Sequence, residues 1–332
     1  LIDIEHFKSF RTREAIAEEK SALVRATRPG GIAVLNADDD LVLAMADQTP
    51  ERVVTFGRER EADYRVTHVS SSFPGNLQIE IAWRGGNLVV VLQLLGEHFW
   101  PSVAASVATA IELGVDPQTI VQQCATFTPL PNRCQIYPTR EGPVFIVDTE
   151  KAPLASLPLA MRVVEQAVAP RKRIVLGQIS DFSGNPKTKY RDAYRAAITV
   201  ADQVVFVGEN AHRSKASDED RKSGRFVALQ TARDVFDHVR QTAMKDELIL
   251  LKSSGNLHLE RVALAWNHDV KCWTDKCGRK VNCFLCGLYE HPFEEHAAIV
   301  RQKKAANRKN RLRRQCKRIL PWRQGVSDDP KT

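Results

Sequence analysis

The segment VFIVDT, residues 144–149, decides the fold of the second half of this 332-residue chain. Four apolar residues run into a polar end, and the pattern recurs in RIVLG at 173–177, QVVFVG at 203–208 and LILLK at 248–252. Helix-like stretches at 154–167, 187–201, 232–244 and 257–265 lie between or after these runs. Such alternation predicts a mostly parallel sheet with helices on both faces. Because ligands bind at the carboxyl ends of such strands, Asp148, Gly177, Gly208 and Lys252 are expected to face a site.

The first half is also of α/β type, with shorter elements. Its predicted helices cover 13–26, 101–113 and 117–124, and its predicted strands cover 32–35, 53–56, 64–69, 77–83 and 88–94. The connector TFTPLPNR at 126–133 carries two prolines and predicts a domain boundary. We therefore expect domains at 1–128 and 129–268, a Cys-rich segment at 269–298 and a basic tail at 299–332.

The positive charge is concentrated near the end of the chain. Ten of the 48 Lys and Arg residues lie between Arg301 and Arg318, and without them the acids outnumber the bases by two. This run predicts a solvated tail, or contact with nucleic acid or an anionic membrane surface. No apolar stretch is long enough to cross a bilayer and no signal peptide is visible, so the reducing cytoplasm is the expected location. A monomer is also expected. The first residue, Leu1, opens inside a structured segment, which indicates that sequence is missing upstream.

Four of the seven cysteines, Cys272, Cys277, Cys283 and Cys286, lie within fifteen residues. Four thiolates can surround zinc or hold an iron–sulfur cluster, and unliganded thiols are the third interpretation. His291 and His296 can replace a cysteine in such a site, although ordinary surface histidines are the simpler interpretation.

Several short motifs occur in an order that points to a known family. They are EHF at 5–7, NAD at 36–38, GEH at 96–98, NR at 132–133, VDT at 147–149 and LKSS at 251–254. Residues 1 to about 265 thereby resemble the central and C-terminal domains of the Mur ligases, above all the D-alanyl-D-alanine-adding branch. The resemblance implies a partial central domain, a Rossmann-like C-terminal domain with a mostly parallel sheet, and an additional Cys-rich basic tail.

The resemblance also implies a set of residue roles. His6 and a carbamylated Lys20 would bind magnesium, because carbamylation turns an ammonium into an oxygen ligand suited to a hard cation. Asn36 would contact the adenine, Asp148 the ribose and Arg133 the ATP phosphates, so that His6, Lys20 and Arg133 form the catalytic set. Ser102 occupies a further nucleotide-binding position, and the amino acid or peptide would bind at Lys252, Ser253 and Ser254.

The implied reaction is ATP-dependent amide formation through an acyl phosphate. Its expected substrate is a carboxylate of a cell-wall precursor or a related acid. Three departures bear on it. No phosphate loop of the form GxxxxGK[ST] occurs, so it is expected upstream, and this chain alone is expected to be inactive. Phe99 and Ser102 replace two family asparagines, and Lys151 stands where Asn or His is usual. The alternative is a non-catalytic binding module that uses the Cys cluster and the basic tail.

Overall fold

The computed structural model describes residues 2, 10, 12–275, 277–279 and 281–319, with side chains as far as residue 308. His6 lies outside the described residues. The strands are β1 Ile32–Asn36, β2 Arg52–Gly57, β3 Tyr64–Ser70, β4 Leu77–Trp83, β5 Gly86–Leu92, β6 Gln135–Tyr137, β7 Val144–Asp148, β8 Lys172–Leu176, β9 Gln203–Val207, β10 Phe226–Leu229 and β11 Leu248–Lys252. The helices are α1 Arg13–Arg25, α2 Asp40–Leu43, α3 Trp100–Glu112, α4 Pro117–Thr126, α5 Leu157–Gln166, α6 Pro186–Val200, α7 Asp218–Lys222, α8 Ala232–Thr242, α9 Glu260–Asn267, α10 Cys283–Cys286 and α11 His296–Ile319.

The first sheet has the order β1-β2-β3-β4-β5, parallel from β1 to β3 and antiparallel from β3 to β5. Its β4 and β5 strands alternate: Ile79 and Val90 are fully buried, whereas Val89 and Val91 are about two-fifths exposed. A half-buried antiparallel pair produces this period of two. Helix α3 packs across β1, β2 and β3, and α4 packs on β5.

The second sheet has the order β10-β9-β8-β11-β7-β6, and every pairing except β6–β7 is parallel. All five residues of β9 and of β11 are buried, as continuous apolar runs require when helices cover both faces. The predicted mixed α/β fold with a mostly parallel second sheet is thus confirmed. The three-residue β6 has no signal of its own in the sequence.

Local start signals set several helix boundaries. Pro101 lies in the first turn of α3, where its missing N–H is not needed, and the Asp116 carboxylate accepts from Thr119 N at 3.0 Å to cap α4. Helices α5 and α9 begin later than the sequence predicts because short 3₁₀ turns occupy Leu154–Ser156 and Gly255–Leu257.

The basic run forms part of helix α11, which the sequence analysis did not predict. The described side chains from Arg301 to Arg308 are all exposed. Because these residues are mostly polar, this part of the helix lacks the apolar stripe that is usual in a packed helix. Within the described part of the chain, none of the helices is both long and apolar enough to span a bilayer.

The two sheets meet through the segments that flank β4–β5. Val168 N donates to Phe73 O at 2.9 Å, and Ser72 Oγ donates to Gln166 O at 2.6 Å. Leu95 is 1% exposed and packs into the core of the second sheet. These contacts place the start of α3 beside the second sheet.

Candidate functional site

The carboxyl ends of β7 and β11 hold a buried ion pair. The register pairs Lys252 with Asp148, and Lys252 Nζ lies 2.7 Å from Asp148 Oδ2. The two side chains are only 3% and 9% exposed, and Nζ also donates to Lys151 O at 3.0 Å. Two residues with separately predicted roles, Asp148 at the ribose and Lys252 at the amine substrate, thus bind each other directly. Lys151 contributes to this arrangement through its backbone.

A strained turn with Arg133 at its centre precedes β6, the strand that pairs with β7. Asn132 and Cys134, on either side of Arg133, both have left-handed backbone (φ 64° and 46°). Each such non-glycine residue costs on the order of 1 kcal/mol, and strain of this kind concentrates at functional sites. Asn132 is fully buried, and neither polar atom of its side chain has a hydrogen-bond partner among the described residues. Burial raises the pKa of the Cys134 thiol, and the charge of the nearby Asp148 adds to the effect.

Arg133 and Ser102 line one cleft of about 910 Å³. The walls are mainly apolar side chains from β5, α3, α4 and the connector, among them Phe99, Val103 and Leu130. Arg133 and Ser102 are both exposed to solvent. An apolar cleft with a few polar groups at its edge is the usual form of a small-molecule site.

His98 is a half-buried histidine to which the sequence analysis assigned no role. Its ring contacts the Phe99 ring, with centroids 4.3 Å apart. Burial lowers the pKa of His98, the charge of Asp148 opposes that shift, and Lys252 adds to it. The motif GEH at 96–98 contributed to the family resemblance, but only the meeting of the two sheets places His98 near Asp148.

Ser253 and Ser254 differ in their accessibility. Ser253 is fully buried; its hydroxyl accepts from Gln178 N at 3.2 Å and donates to Ser254 O at 2.9 Å. Gly177 allows this close approach, because a Cβ there would lie 2.3 Å from Ser253 Oγ. Ser254 is half-buried, and its N–H donates to Gln178 O at 3.0 Å. Of the two hydroxyls, that of Ser254 is the more available to a ligand.

Two further predicted residues, Asn36 and Lys20, belong to the first half of the chain. Asn36 ends β1, is 4% exposed, and its Oδ1 accepts from Asp38 N at 3.0 Å. Asp38 in turn accepts from the backbone N–H groups of the loop after β2, so this segment shapes that loop. Lys20 is exposed on α1. The relation of Lys20 to His6 falls outside the described residues.

The four clustered cysteines line one small cavity together with His258 and His296. The sequence analysis named His291 and His296 as residues that can replace a cysteine. His296 is 4% exposed and lines the cavity, whereas the side chain of His291 is 49% exposed. The surface interpretation therefore holds for His291 and is wrong for His296. His258, Glu260 and Arg261 are also buried here, and sequence reasoning missed all three.

Comparisons with known proteins agree with this architecture. Residues 1–110 match the family described as Mur ligase middle domain. UDP-N-acetylmuramoyl-L-alanyl-D-glutamate–2,6-diaminopimelate ligase of Halalkalibacterium halodurans is 25% identical over 236 residues, 69% of this chain and 48% of that protein. UDP-N-acetylmuramoyl-tripeptide–D-alanyl-D-alanine ligase of Bacillus subtilis is 23% identical over 269 residues, 77% of this chain and 56% of that protein. The chain spans about half the length of these curated relatives.

A solved structure shows the same fold. MurF from Acinetobacter baumannii superposes with a TM-score of 0.70 at 23% identity, covering 80% of this chain and 58% of that one. The chain is therefore similar to the Mur ligases in sequence and in fold, and its residues 1–110 match the Mur ligase middle domain.

Proposed function

We propose that this chain is the central and C-terminal part of an ATP-dependent, ADP-forming amide ligase. The observation that carries the proposal is the turn around Arg133. Two left-handed residues flank Arg133, whose exposed side chain lines an apolar cleft, and the next residue, Cys134, lies close to Asp148 of the buried ion pair. The proposed domain limits are 1–128 and 129–268, with the cleft at their junction.

The cleft fits the nucleotide. Its apolar walls suit a purine base, and Ser102 replaces the usual family asparagine with a shorter polar group. Arg133 offers a planar fork of donors to phosphate oxygens, the geometry best suited to that group. Asp148 retains acceptor sites beside Lys252 for ribose hydroxyls, since a carboxylate has about four lone pairs. Asn36 is the proposed second contact to the base.

Magnesium is the proposed cation, bound by His6 and by Lys20 after carbamylation. Lys20 is exposed, so carbon dioxide can reach its amine. When bound, the cation would neutralise charge on the transferring phosphoryl group. Arg133 would share that task from the second sheet.

The acid substrate is proposed to be a cell-wall precursor or a related carboxylate, activated as an acyl phosphate. Lys252, Ser253 and Ser254 are the proposed contacts to the incoming amino acid or peptide. Because Lys252 and Ser253 are buried and already bonded, they would act by holding the loop, and Ser254 would face the substrate. We further propose a cytoplasmic monomer.

Nucleotide binding by the 332-residue chain tests the proposed role of the cleft. A fluorescent ATP analogue should bind, and Arg133→Met should weaken binding about tenfold, as expected for one lost charge-assisted contact of about 1.4 kcal/mol. Arg140→Met is the matched control, because Arg140 is exposed beyond the amino end of β7. Equal losses in the two variants would refute the role of Arg133.

Catalysis requires a chain that includes a phosphate loop upstream. With that extension, ADP release should depend on both a carboxylate and an amine. Lys20→Ala should abolish release, and a short carboxylic acid should restore part of it; Lys222→Ala, an exposed lysine on α7, should change nothing. Full activity of the Lys20 variant would remove the magnesium assignment.

One observation favours a second function for the tail. The exposed described bases of α11, Arg301, Lys303, Lys304 and Arg308, suit a non-catalytic contact to nucleic acid or anionic lipid. Binding of a duplex or of anionic vesicles that falls steeply with salt, and that is lost on replacing these four residues with Gln, would support it. Salt-independent binding would refute it.

A further inference from the structure

A small cavity apart from the cleft is lined by thiol and imidazole groups. Its volume is about 10 Å³, close to that of one water-sized sphere, which suits a single ion better than a cluster of several atoms. The groups of interest are those of Cys272, Cys277, Cys283, Cys286, His258 and His296. All four of these cysteines are free thiols.

His296 presents an unpaired nitrogen in this place. Its Nε2 lies 3.0 Å from His291 O, so Nε2 carries the proton and Nδ1 keeps its lone pair. Nδ1 is buried and has no hydrogen-bond partner among the described residues, an arrangement that costs about 1–3 kcal/mol if nothing binds there. Histidines that bind metals typically donate their other N–H to a carbonyl or carboxylate in this way.

His258 contacts two of the thiols through opposite sides of its ring. His258 Nε2 is 3.1 Å from Cys277 Sγ, and His258 Nδ1 is 3.7 Å from Cys283 Sγ. Two ligand atoms on a tetrahedral zinc ion are about 3.5–3.8 Å apart, so the Nδ1–Cys283 pair has that spacing, whereas the closer Nε2–Cys277 pair is a hydrogen bond. The ligand atoms of His258, Glu260 and Cys283 lie within 4.8 Å of one another. The backbone N–H of Arg279 also donates to Cys277 Sγ at 3.5 Å.

A buried cation beside the cavity requires negative charge. Arg261 is 2% exposed, and its Nε donates to Cys283 Sγ at 3.2 Å. A second guanidinium nitrogen donates to Thr274 O at 2.6 Å, and Arg261 takes part in none of the ion pairs found among the described residues. Buried charges are normally paired, and thiolates bound to a metal ion would supply the missing partner.

We propose that this cavity binds one zinc ion through Cys283, Cys286, Nδ1 of His296 and a third thiolate, from Cys272 or Cys277. The Cys-x2-Cys spacing gives the chelating half of the site. The imidazole ligand and the size of the cavity favour zinc over the iron–sulfur cluster. The zinc proposal does not rest on the proposed ligase activity.

The same site is linked to the strand ends. Glu260 is 1% exposed; its Oε1 accepts from Cys283 N at 2.9 Å and its Oε2 accepts from Thr149 Oγ1 at 3.2 Å. His258 also lies 3.3 Å from this carboxylate. Zinc would thereby hold the loop 253–260 and the end of β7 in place through Glu260.

Metal analysis of the full chain, purified under reducing conditions, tests the site. About one zinc per chain is expected. Replacement of zinc by cobalt(II) should give the intense thiolate-to-cobalt charge-transfer absorption of a tetrahedral sulfur site. This measurement uses the unaltered chain, so it does not depend on the folding of a variant. Absence of stoichiometric zinc together with absence of that absorption would overturn the proposal.

Variants test the ligand set. Cys286→Ser and His296→Ala should lose most of their zinc on dialysis, whereas Cys124→Ser and His291→Ala should keep it, since Cys124 lies in α4 and His291 is exposed. Either Cys272→Ser or Cys277→Ser should lose zinc and the other should retain it. Full zinc retention by His296→Ala would overturn the imidazole assignment.

Hydrogen exchange tests the link to the strand ends. Removing zinc with a chelator should speed amide exchange in 253–260 at least tenfold and leave α6 unchanged, and added zinc should restore protection. Unchanged exchange in 253–260 would refute the linkage through Glu260.

Discussion

Breaking the Asp148–Lys252 pair should be far more damaging than removing it entirely. Asp148→Leu leaves the Lys252 ammonium 3% exposed, with Lys151 O as its remaining described acceptor. Leaving one member of a buried pair alone costs about 3–5 kcal/mol. Lys252→Met strands the carboxylate in the same way. The double variant leaves no charge and should cost no more than about 2 kcal/mol, because apolar replacement of a buried pair is often nearly neutral.

Urea unfolding followed by circular dichroism measures these costs. The expected coupling between the two substitutions is at least about 3 kcal/mol, well above the error of such cycles. Asp237→Ala is the control: its pair with Arg233 on α8 is about half exposed, so the expected loss is under about 0.5 kcal/mol. Single-variant losses at Asp148 as small as this control would show that the pair is screened by water, and the reasoning would fail.

Three further predictions concern Glu247 and Gly177 of the second sheet's strand ends and the half-buried His98. Glu247→Gln should lower the unfolding free energy by about 3–5 kcal/mol in a thermal or urea titration, since Arg173 and Glu247 are both fully buried and 2.8 Å apart; a loss below 1 kcal/mol would contradict the burial. Gly177→Ala should cost about 1–3 kcal/mol by the same measurement, because the new Cβ meets Ser253 Oγ at 2.3 Å, and an unchanged midpoint would disprove the contact. Burial lowers the pKa of His98, so the unfolded chain binds its proton more readily than the folded one. The stability from neutral His98 is then present above about pH 6.5 and is lost as the pH falls toward the lowered value, and His98→Gln should flatten this dependence in unfolding curves from about pH 5 to 7; an equal slope would argue against a buried neutral imidazole.

Much of the second sheet was predictable because its strands are buried on both faces. Runs such as LILLK at 248–252 are continuous and apolar, and helical stretches separate them, so strand type and parallel pairing follow from composition and order. Helix α11 was missed for the converse reason. Its charged residues show no apolar period, and a solvated helix leaves no packing pattern in the sequence.

The candidate site was predictable only as a set of separate positions. The sequence places Asp148 and Lys252 at strand ends, 104 residues apart, but it does not state that β7 and β11 are neighbours. Their roles as ribose and amine contacts remain predictions, as do those of His6, Lys20 and Asn36. The buried histidine His296 resembles exposed His291 in the sequence, because burial depends on what packs over a side chain.

The sequence by itself determined the α/β class, the parallel second sheet, the likeness to the Mur ligases and the spacing of the cysteines. These properties follow from local periodicity and short motifs, which each stretch of chain carries on its own. Only the tertiary structure decided that Asp148 binds Lys252, that Glu260 links Thr149 to Cys283, and that His296 lines the same cavity as the four clustered cysteines. Such contacts join residues that are distant in the chain, and strand order and packing, not local preference, bring them together.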